Sequence, residues 1–283
     1  MKIELNKVYN ENCLLTMSNL PDNFIHLVVT SPPYDNLRDY RTYKFEFKKI
    51  AKELYRILKK GGVIVWVVGD QTVEGSETGT SFKQVLYFKK IGFKLHDTMF
   101  YCKESSSHPS SNRYNQAVEY MFVLSKGIPS TTNIIKDRKN KGSFRTIHGT
   151  DRQKDGSTKS KYNTGKLIKE NSARLNYWIM SNPYIKKDIR FRHPATFPTV
   201  LARDHIITWT NENDIVYDPM SGAGTTIIEA YKLKRRFLGS EMSREYCEIT
   251  AEIFNDNKLI KSKKRLELSK MNFPIYTNKG FKL

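Results

Sequence analysis

The stretch that decides the fold is IVYDPMSGAGTTIIEAYKLKRRFLGSE, at residues 215–241. It begins with a short apolar run at residues 215–217, which predicts a buried strand. Residues 225–233 carry apolar side chains at helical spacing, and residues 237–240 form a second short apolar run. A strand, a helix and a strand at this spacing form a unit of a mostly parallel sheet covered by helices. The stretch therefore predicts an α/β fold.

The remainder of the chain continues the same alternation. The other predicted strands are residues 25–30, 63–68, 93–102 and 118–125. The other predicted helices are residues 45–60, 82–91 and 199–209, and one that opens at an N-cap, Ser243. Gly61 and Gly62 are expected to end the first of these helices. We therefore expect one mostly parallel sheet with helices on both of its faces.

The loop Asp218-Pro219-Met220-Ser221-Gly222-Ala223-Gly224-Thr225-Thr226 joins a predicted strand to a predicted helix. Gly222 and Gly224 permit a tight turn and a close approach of a ligand, and the helix N-terminus offers free N–H groups. Glu241 ends the next strand, at a spacing where an acid accepts hydrogen bonds from ribose hydroxyls. The loop lacks the lysine of a phosphate-binding loop, which argues against nucleoside triphosphate hydrolysis. A plain turn would explain the glycines alone, whereas Glu241 favours an adenosine-like cofactor.

A second loop, Thr30-Ser31-Pro32-Pro33-Tyr34, ends the predicted strand at residues 25–30. Its two prolines donate no backbone hydrogen bonds and keep the chain extended. Nearby carbonyl oxygens can therefore accept from a ligand, while Ser31 offers a hydroxyl and Tyr34 an aromatic face. Ligands of open α/β sheets bind beyond the carboxyl ends of strands, where both loops lie. Taken alone, a rigid exit from the strand with Tyr34 packed in the core explains this loop equally well.

Positive charge is concentrated in two segments of the chain. The 283 residues contain 48 Lys and Arg against 29 Asp and Glu, a formal net charge of +19. Residues 127–192 contain 16 basic against 5 acidic side chains, and residues 258–283 contain 8 against 1. An imbalance of this size favours a polyanionic partner, with nucleic acid as the first candidate. The polar composition of residues 127–192 suits either a surface that follows phosphates or a flexible linker.

Several classes of protein are disfavoured by the composition. The longest apolar runs are too short to span a bilayer, and residues 1–10 lack the apolar stretch of a secretory signal. Cys13, Cys102 and Cys247 lie far apart and form no paired motif, which argues against a disulfide framework or a zinc site. We expect a cytoplasmic protein.

The two loops, in this order, resemble those of the beta class of S-adenosylmethionine-dependent DNA amino-methyltransferases of bacterial restriction–modification systems. In that family the catalytic tetrapeptide comes first, the recognition insertion follows and the cofactor loop comes last. Ser31-Pro32-Pro33-Tyr34 is similar to the tetrapeptide, and residues 218–226 are similar to the cofactor loop. Further similar blocks are His193-Pro194-Ala195-Thr196-Phe197-Pro198, Leu58-Lys59-Lys60-Gly61-Gly62, Gly69-Asp70 and Arg113-Tyr114-Asn115-Gln116.

The resemblance implies roles for individual residues. The implied catalytic residues are Ser31, Pro32, Pro33 and Tyr34. The implied cofactor-binding residues are Asn12, Thr30, His193, Pro194, Phe197, Asp218, Pro219, Met220, Ser221, Gly222, Gly224, Thr225 and Glu241. Where family members often carry Gly-Asp-Cys, this chain has Glu11-Asn12-Cys13, so Asn12 can hydrogen-bond an adenine amine but adds no charge. No metal is implied.

The fold that the resemblance implies is a Rossmann-like class I methyltransferase fold. Its catalytic domain would comprise residues 1–126 and 193–257, with a target-recognition insertion at residues 127–192 and a basic tail at residues 258–283. Double-stranded DNA is the implied partner. A cognate restriction endonuclease and a homodimer are further expectations.

The reaction that the resemblance implies is methyl transfer from S-adenosylmethionine to an exocyclic amine of a base flipped out of duplex DNA. Ser31 and the Pro32 carbonyl would accept the amine hydrogens, and Tyr34 would stack on the base. Serine at the first catalytic position resembles the N4-cytosine subgroup, and N6-adenine is the alternative. An RNA or small-molecule methyltransferase and a non-catalytic DNA-binding subunit are remoter alternatives.

Overall fold

A computed structural model describes residues 3–33, 45–104, 112–181 and 196–255, and the backbone of residues 276–277. The strands are β1 (Lys7–Asn10), β2 (Ile25–Thr30), β3 (Leu58–Val68), β4 (Thr72–Val73), β5 (Ser76–Glu77), β6 (Lys94–Cys102), β7 (Val118–Ser125), β8 (Arg138–Lys139), β9 (Thr150–Arg152), β10 (Thr158–Ser160), β11 (Asn171–Ser172), β12 (Tyr177–Ile179), β13 (Ile215–Asp218), β14 (Arg236–Ser240) and β15 (Tyr276–Thr277). The helices are α1 (Cys13–Ser18), α2 (Phe47–Ile57), α3 (Thr80–Lys90), α4 (Thr199–Trp209), α5 (Thr225–Lys232) and α6 (Arg244–Asn255). No helix within these described ranges is long and apolar enough to cross a membrane.

Nine of the described strands form one large sheet in the order β12-β6-β7-β3-β2-β13-β14-β1-β15, and β4 and β5 form a small antiparallel pair of their own. Neighbouring strands are parallel, except that β7 runs antiparallel to both β3 and β6. The mostly parallel sheet predicted from the sequence is therefore confirmed. Because the parallel strands share a direction, the carboxyl ends of β1, β2, β3, β13 and β14 lie at one edge.

The core is divided between the two faces of this sheet. Leu27 and Val29 of β2 belong to an apolar cluster that contains residues of α4, α5 and α6. Val28, between them, belongs to a second cluster that contains residues of α1, α2 and α3. Successive side chains of a strand point to opposite faces, so helices on both faces require the continuously apolar strands that the sequence shows.

The predicted elements recur in the structure with one correction. The bounds predicted for β2, β7 and α4 are those observed. The helix predicted over residues 45–60 was wrong at its end, because α2 stops at Ile57 and Leu58 already pairs with Ile25 as part of β3. Gly61 has a φ of +78° and donates to the Lys126 carbonyl at 2.7 Å. It therefore belongs to an irregular stretch of a strand and does not terminate a helix.

Ile134–Leu175 form a separate compact unit, which we call the arm. It contains two short antiparallel pairs, β8 with β11 and β9 with β10. None of its residues is buried. The arm lies within residues 127–192, the segment predicted to be an insertion.

Candidate active site

The two predicted loops meet at the carboxyl edge of the sheet. β2 and β13 are parallel neighbours, with Val28 paired to Tyr217. The Thr30 hydroxyl, at the end of β2, donates a hydrogen bond of 2.7 Å to Asp218 Oδ1, at the end of β13. Residues 188 positions apart in the chain are thereby in direct contact.

A second hydrogen bond ties the glycine loop to the same strand. Thr226, in the first turn of α5, donates its hydroxyl to the Val29 carbonyl at 3.1 Å, and both residues are fully buried. The start of α5 is therefore held on the strand that leads into Ser31. Thr226 stands in the loop quoted above but had no predicted role, although a hydroxyl at a helix start is a recognisable hydrogen-bonding signal.

The glycines of the loop are required by its geometry. Gly222 and Gly224 have φ values of +50° and +77°, a region that side chains with a Cβ rarely adopt. A Cβ on Gly224 would lie 2.6 Å from Thr250 Cγ2 of α6. The loop therefore needs glycine at position 224 both for its backbone conformation and for the close approach of α6.

Glu241 lies against the glycine loop. Its Oε2 accepts a hydrogen bond from the Gly222 N–H and its Oε1 accepts one from the Ser243 N–H, both at 2.8 Å. Burial raises the pKa of Glu241, and these backbone N–H groups oppose the rise because they stabilise the carboxylate. The predicted acid therefore has both oxygens oriented by the backbone beside the loop.

Asp218 is a buried carboxyl group that titrates near neutrality. Its pKa is raised to about 7, chiefly by burial. The hydrogen bonds from Thr30 and from the Met220 N–H lower the pKa, and the charge of Glu241 adds to the rise. Asp218 Oδ1 accepts from both the Thr30 hydroxyl, at 2.7 Å, and the Met220 N–H, at 3.1 Å. A shift of this size, in a group that connects two loops, is typical of functional sites.

The loop also contains an unsatisfied polar atom. Among buried side-chain N and O atoms of the described residues, Ser221 Oγ is the one without a hydrogen-bond partner. A buried hydroxyl without a partner is costly, and such groups call for an explanation. A loop with a buried free hydroxyl, left-handed glycines and two oriented carboxyl groups fits an adenosine-like cofactor with polar groups.

Comparison with known proteins identifies the family. The family model N6_N4_Mtase, described as DNA methylase, matches residues 25–252, which is most of the chain. The chain belongs to this DNA methylase family. Among curated relatives of the methylase, the orphan methyltransferase M.BamHII of Bacillus amyloliquefaciens is 52% identical over 239 residues, covering 83% of this chain and 90% of the relative.

Solved structures show the fold of the methylase. The PvuII DNA methyltransferase (cytosine-N4-specific) matches with a TM-score of 0.66 and 23% identity, covering 90% of this chain and 88% of that chain. The Thermus thermophilus protein TTHA0409, complexed with S-adenosyl-L-methionine, matches with a TM-score of 0.59 and 24% identity, covering 87% of this chain and 91% of that chain. The predicted class I methyltransferase fold is therefore confirmed.

Asn12 of the methylase begins a helix. It is the N-cap of α1, and its Oδ1 accepts from the Leu14 N–H at 2.9 Å. Two hydrogen bonds join the end of β1, just before Asn12, to Glu241. Asn10 Nδ2 donates to the Glu241 carbonyl at 2.9 Å, and the Glu241 N–H donates to the Tyr9 carbonyl at 3.0 Å. Asn10 had no predicted role, and no local sequence signal distinguishes it from its neighbours.

The remaining predicted site residues of the methylase differ in burial. Ser31 and Pro33 are partly buried and Pro32 is buried, directly after β2. The other predicted cofactor residues with described positions are Phe197, partly buried, Pro219, buried, Met220, partly buried, and Thr225, buried. Tyr34, His193 and Pro194 lie outside the described residues.

Asp70 of the methylase follows β3 at the same edge. Its Oδ1 accepts from the Ser81 N–H at 2.8 Å and its Oδ2 from the Ser81 hydroxyl at 2.5 Å. Asp70 therefore caps the first turn of α3. In the described ranges, no cluster of three or more His, Cys, Asp or Glu side chains could hold a metal ion.

Proposed function

We propose that this DNA methylase transfers a methyl group to the exocyclic N4 amine of a cytosine flipped out of duplex DNA. The observation that carries the proposal is the hydrogen bond of 2.7 Å between Thr30 and Asp218. It joins the strand end that precedes Ser31 to the loop that fits an adenosine-like cofactor. Acceptor groups for an amine and a cofactor loop therefore share one edge of the sheet, as methyl transfer requires.

S-adenosylmethionine is the cofactor that this family membership and the loop support. Gly222 and Gly224 would let it approach the backbone, Ser221 would offer the free hydroxyl, and Glu241 would accept hydrogen bonds from its ribose. When bound, it supplies an electrophilic methyl group. The carboxyl groups and the loop of this chain would hold and orient it, a task that requires no metal.

The residues after β2 would prepare the amine. An exocyclic amine is a poor nucleophile, because its lone pair is delocalised into the ring. The Ser31 hydroxyl and the Pro32 carbonyl would each accept a hydrogen bond from the amine, so that the nitrogen becomes pyramidal and its lone pair, no longer delocalised into the ring, faces the methyl group. Tyr34 would stack on the base and hold its orientation. Alignment of reactants in this way lowers a barrier by about 7–11 kcal/mol.

Serine at position 31 supports cytosine as the target base. Ser31 is a neutral hydroxyl, and in the resemblance described above it matches the N4-cytosine subgroup. The PvuII enzyme, which is named as cytosine-N4-specific, shares the fold. At 23% identity that likeness concerns the fold, so the choice of base rests on Ser31.

Duplex DNA is the partner that this function requires. An amine inside a duplex is inaccessible until the base is flipped out, at a cost of a few kcal/mol. The basic side chains of residues 127–192 would offset part of this cost through phosphate contacts, as expected for a recognition insertion. A cognate endonuclease and a homodimer stay predictions from the resemblance.

Mass spectrometry of nucleosides tests the proposal. Purified protein is incubated with S-adenosylmethionine and either unmethylated plasmid DNA or RNA, and the nucleosides are then analysed. We expect N4-methylcytosine in DNA and none in RNA. N6-methyladenine alone would overturn the choice of base, and unmodified DNA would overturn the reaction. Ser31→Ala is the control for contaminating methylases.

A further inference from the structure

We propose that the arm enters the major groove of duplex DNA as a two-stranded ribbon and that Arg152 binds the edge of a guanine there. The proposal rests on the proposed function for its partner, since a DNA methylase acts on duplex DNA. Within the recognition insertion that the resemblance implies, it names the ribbon, the groove and the residue that would select the sequence.

The arm is a hairpin that is hydrogen-bonded along its length. At its base Ser172 pairs with Arg138, and further along the Phe144 N–H donates to Ile168 at 2.9 Å. At its far end β9 pairs with β10, and the Gln153 N–H donates to the Ser157 carbonyl at 2.8 Å. The turn is closed by Asp155, whose Oδ1 accepts from the N–H and the hydroxyl of Ser157, at 3.0 and 2.7 Å. The arm is therefore a self-contained ribbon with a defined tip.

The arm has no core of its own. Phe144, Tyr162 and Leu167 are 71%, 92% and 63% exposed, and none of its residues is buried. A two-stranded hairpin alone is marginally stable in water at best, because its ladder hydrogen bonds are exchanged with water and little apolar surface is removed from solvent. A ribbon of this kind gains stability when a partner covers one of its faces.

The charge of the arm identifies the partner as a polyanion. Its residues, Ile134–Leu175, include 12 Lys and Arg against 4 Asp and Glu. The major groove of B-DNA is about 12 Å wide and admits a two-stranded ribbon, whereas the minor groove is about 6 Å wide. Two strands lie about 4.8 Å apart before their side chains are counted. The wider major groove therefore suits the arm better than an undeformed minor groove.

Arg152 is the arginine at the tip that is free to contact a base. Thr158 pairs with Arg152 across the ribbon, and Ser160 pairs with Thr150, so all four side chains share one face. Within the described residues Arg152 has neither an ion pair nor a side-chain hydrogen bond. Arginine in the major groove binds the O6 and N7 atoms of guanine with two hydrogen bonds, and this is the commonest specific contact.

Two other arginines of the arm are already engaged. Arg174, at the base, forms an ion pair with Asp137 at 2.5 Å, and Arg138 donates to the Ala173 carbonyl at 3.2 Å. Lys159 pairs across the ribbon with Asp151, on the opposite face from Arg152. The face that carries Arg152 therefore has hydroxyl neighbours and no carboxylate in the β9–β10 pair.

Methylation of a random-sequence duplex library tests the role of Arg152. Wild type, Arg152→Ala and Lys154→Ala are compared, since each variant removes one cation from the tip and both residues are exposed. We expect the methylated motif of the wild type to contain a guanine. In Arg152→Ala, the preference for that guanine over other bases should fall roughly 5- to 100-fold. Lys154→Ala is expected to slow methylation of all sequences alike and to lower the slope of log affinity against log salt by about 1.

The outcomes separate this proposal from the proposed function. If the motif of Arg152→Ala equals that of the wild type, the role of Arg152 is overturned. Wild-type protein that methylates no DNA counts against the proposed function instead. Amide hydrogen exchange of wild-type protein with the same library, without cofactor, tests the ribbon independently of activity. We expect slower exchange at residues 150–160 when DNA is added, and unchanged exchange there would overturn insertion of the arm.

Discussion

Replacing Thr30 with valine tests the hydrogen bond that joins the two loops. Valine has nearly the shape of threonine, so Thr30→Val removes the hydroxyl without leaving a cavity. Both Thr30 and Asp218 are buried, and their hydrogen bond measures 2.7 Å. In the variant, Asp218 Oδ1 keeps the Met220 N–H, at 3.1 Å, but loses its shorter partner.

The size of the effect depends on the charge of Asp218. A hydrogen bond to a charged group contributes about 1.5–3 kcal/mol to stability, and one between neutral groups about 0.5–1.5 kcal/mol. We therefore expect Thr30→Val to cost about 1 kcal/mol more when Asp218 is ionised than when it is protonated. Because one pKa unit corresponds to about 1.4 kcal/mol, the pKa of Asp218 should rise by somewhat less than one unit.

The pH dependence follows from the pKa of Asp218. In the folded protein that pKa is raised to about 7, and in the unfolded chain an aspartate has a pKa of about 3.9. The folded state holds this proton more tightly, so the contribution of Asp218 to stability falls as the pH rises from about 4 to about 7 and then levels off. In Thr30→Val the fall continues to a higher pH, because the carboxylate has lost a donor.

Urea unfolding at pH 5.5 and pH 8.5 measures this difference. The free energy of unfolding of Thr30→Val is compared with that of the wild type at each pH, which cancels the titration of all other groups. Thr30→Ser, which keeps the hydroxyl, should show the wild-type pH dependence. An equal cost of Thr30→Val at both pH values, or a serine variant that behaves like valine, would refute the reasoning.

Four further substitutions have defined outcomes. Ser31→Ala should lower methyl transfer about 100-fold or more while S-adenosylmethionine binding, measured by equilibrium dialysis, stays unchanged; full turnover would remove Ser31 from the reaction. Gly224→Ala should cost about 2–5 kcal/mol in thermal unfolding, because its Cβ meets Thr250 at 2.6 Å. Gly75→Ala, with a similar φ of +79° and open space around it, should cost only about 1–2 kcal/mol, and an equal cost would contradict the clash. Asp70→Ala should lower the free energy of unfolding by about 0.5–2 kcal/mol through the lost cap of α3 and leave methyl transfer unchanged, and a loss of transfer at unchanged stability would contradict the capping role.

Local patterns were sufficient for most of the fold. The apolar runs of β2, β7 and β13 and the helical spacing of α4 and α5 are properties of short segments, so their positions could be predicted from neighbouring residues alone. The end of α2 could not be predicted from neighbouring residues. Leu58 has a helical position in the sequence, but it pairs with Ile25, and a pairing partner in a sheet can lie anywhere in the chain.

The site shows the same division. The residue types of both loops, the glycines at 222 and 224 and the acid at 241 could be identified from the sequence, since each follows from residue types and spacing close to the end of a predicted strand. Only the structure shows the hydrogen bonds of Thr30 to Asp218 and of Thr226 to Val29. The same is true of the buried Ser221 hydroxyl that has no hydrogen-bond partner.

The sequence alone therefore determined the elements, the two loops and the excess of positive charge. Tertiary structure decided which strand lies beside which, and thereby that Thr30 meets Asp218 across 188 positions and that Ile134–Leu175 has no core of its own. The physical reason is that periodicity and turn chemistry act over a few residues, whereas strand order, burial and a shifted pKa arise only when distant segments exclude water from one another.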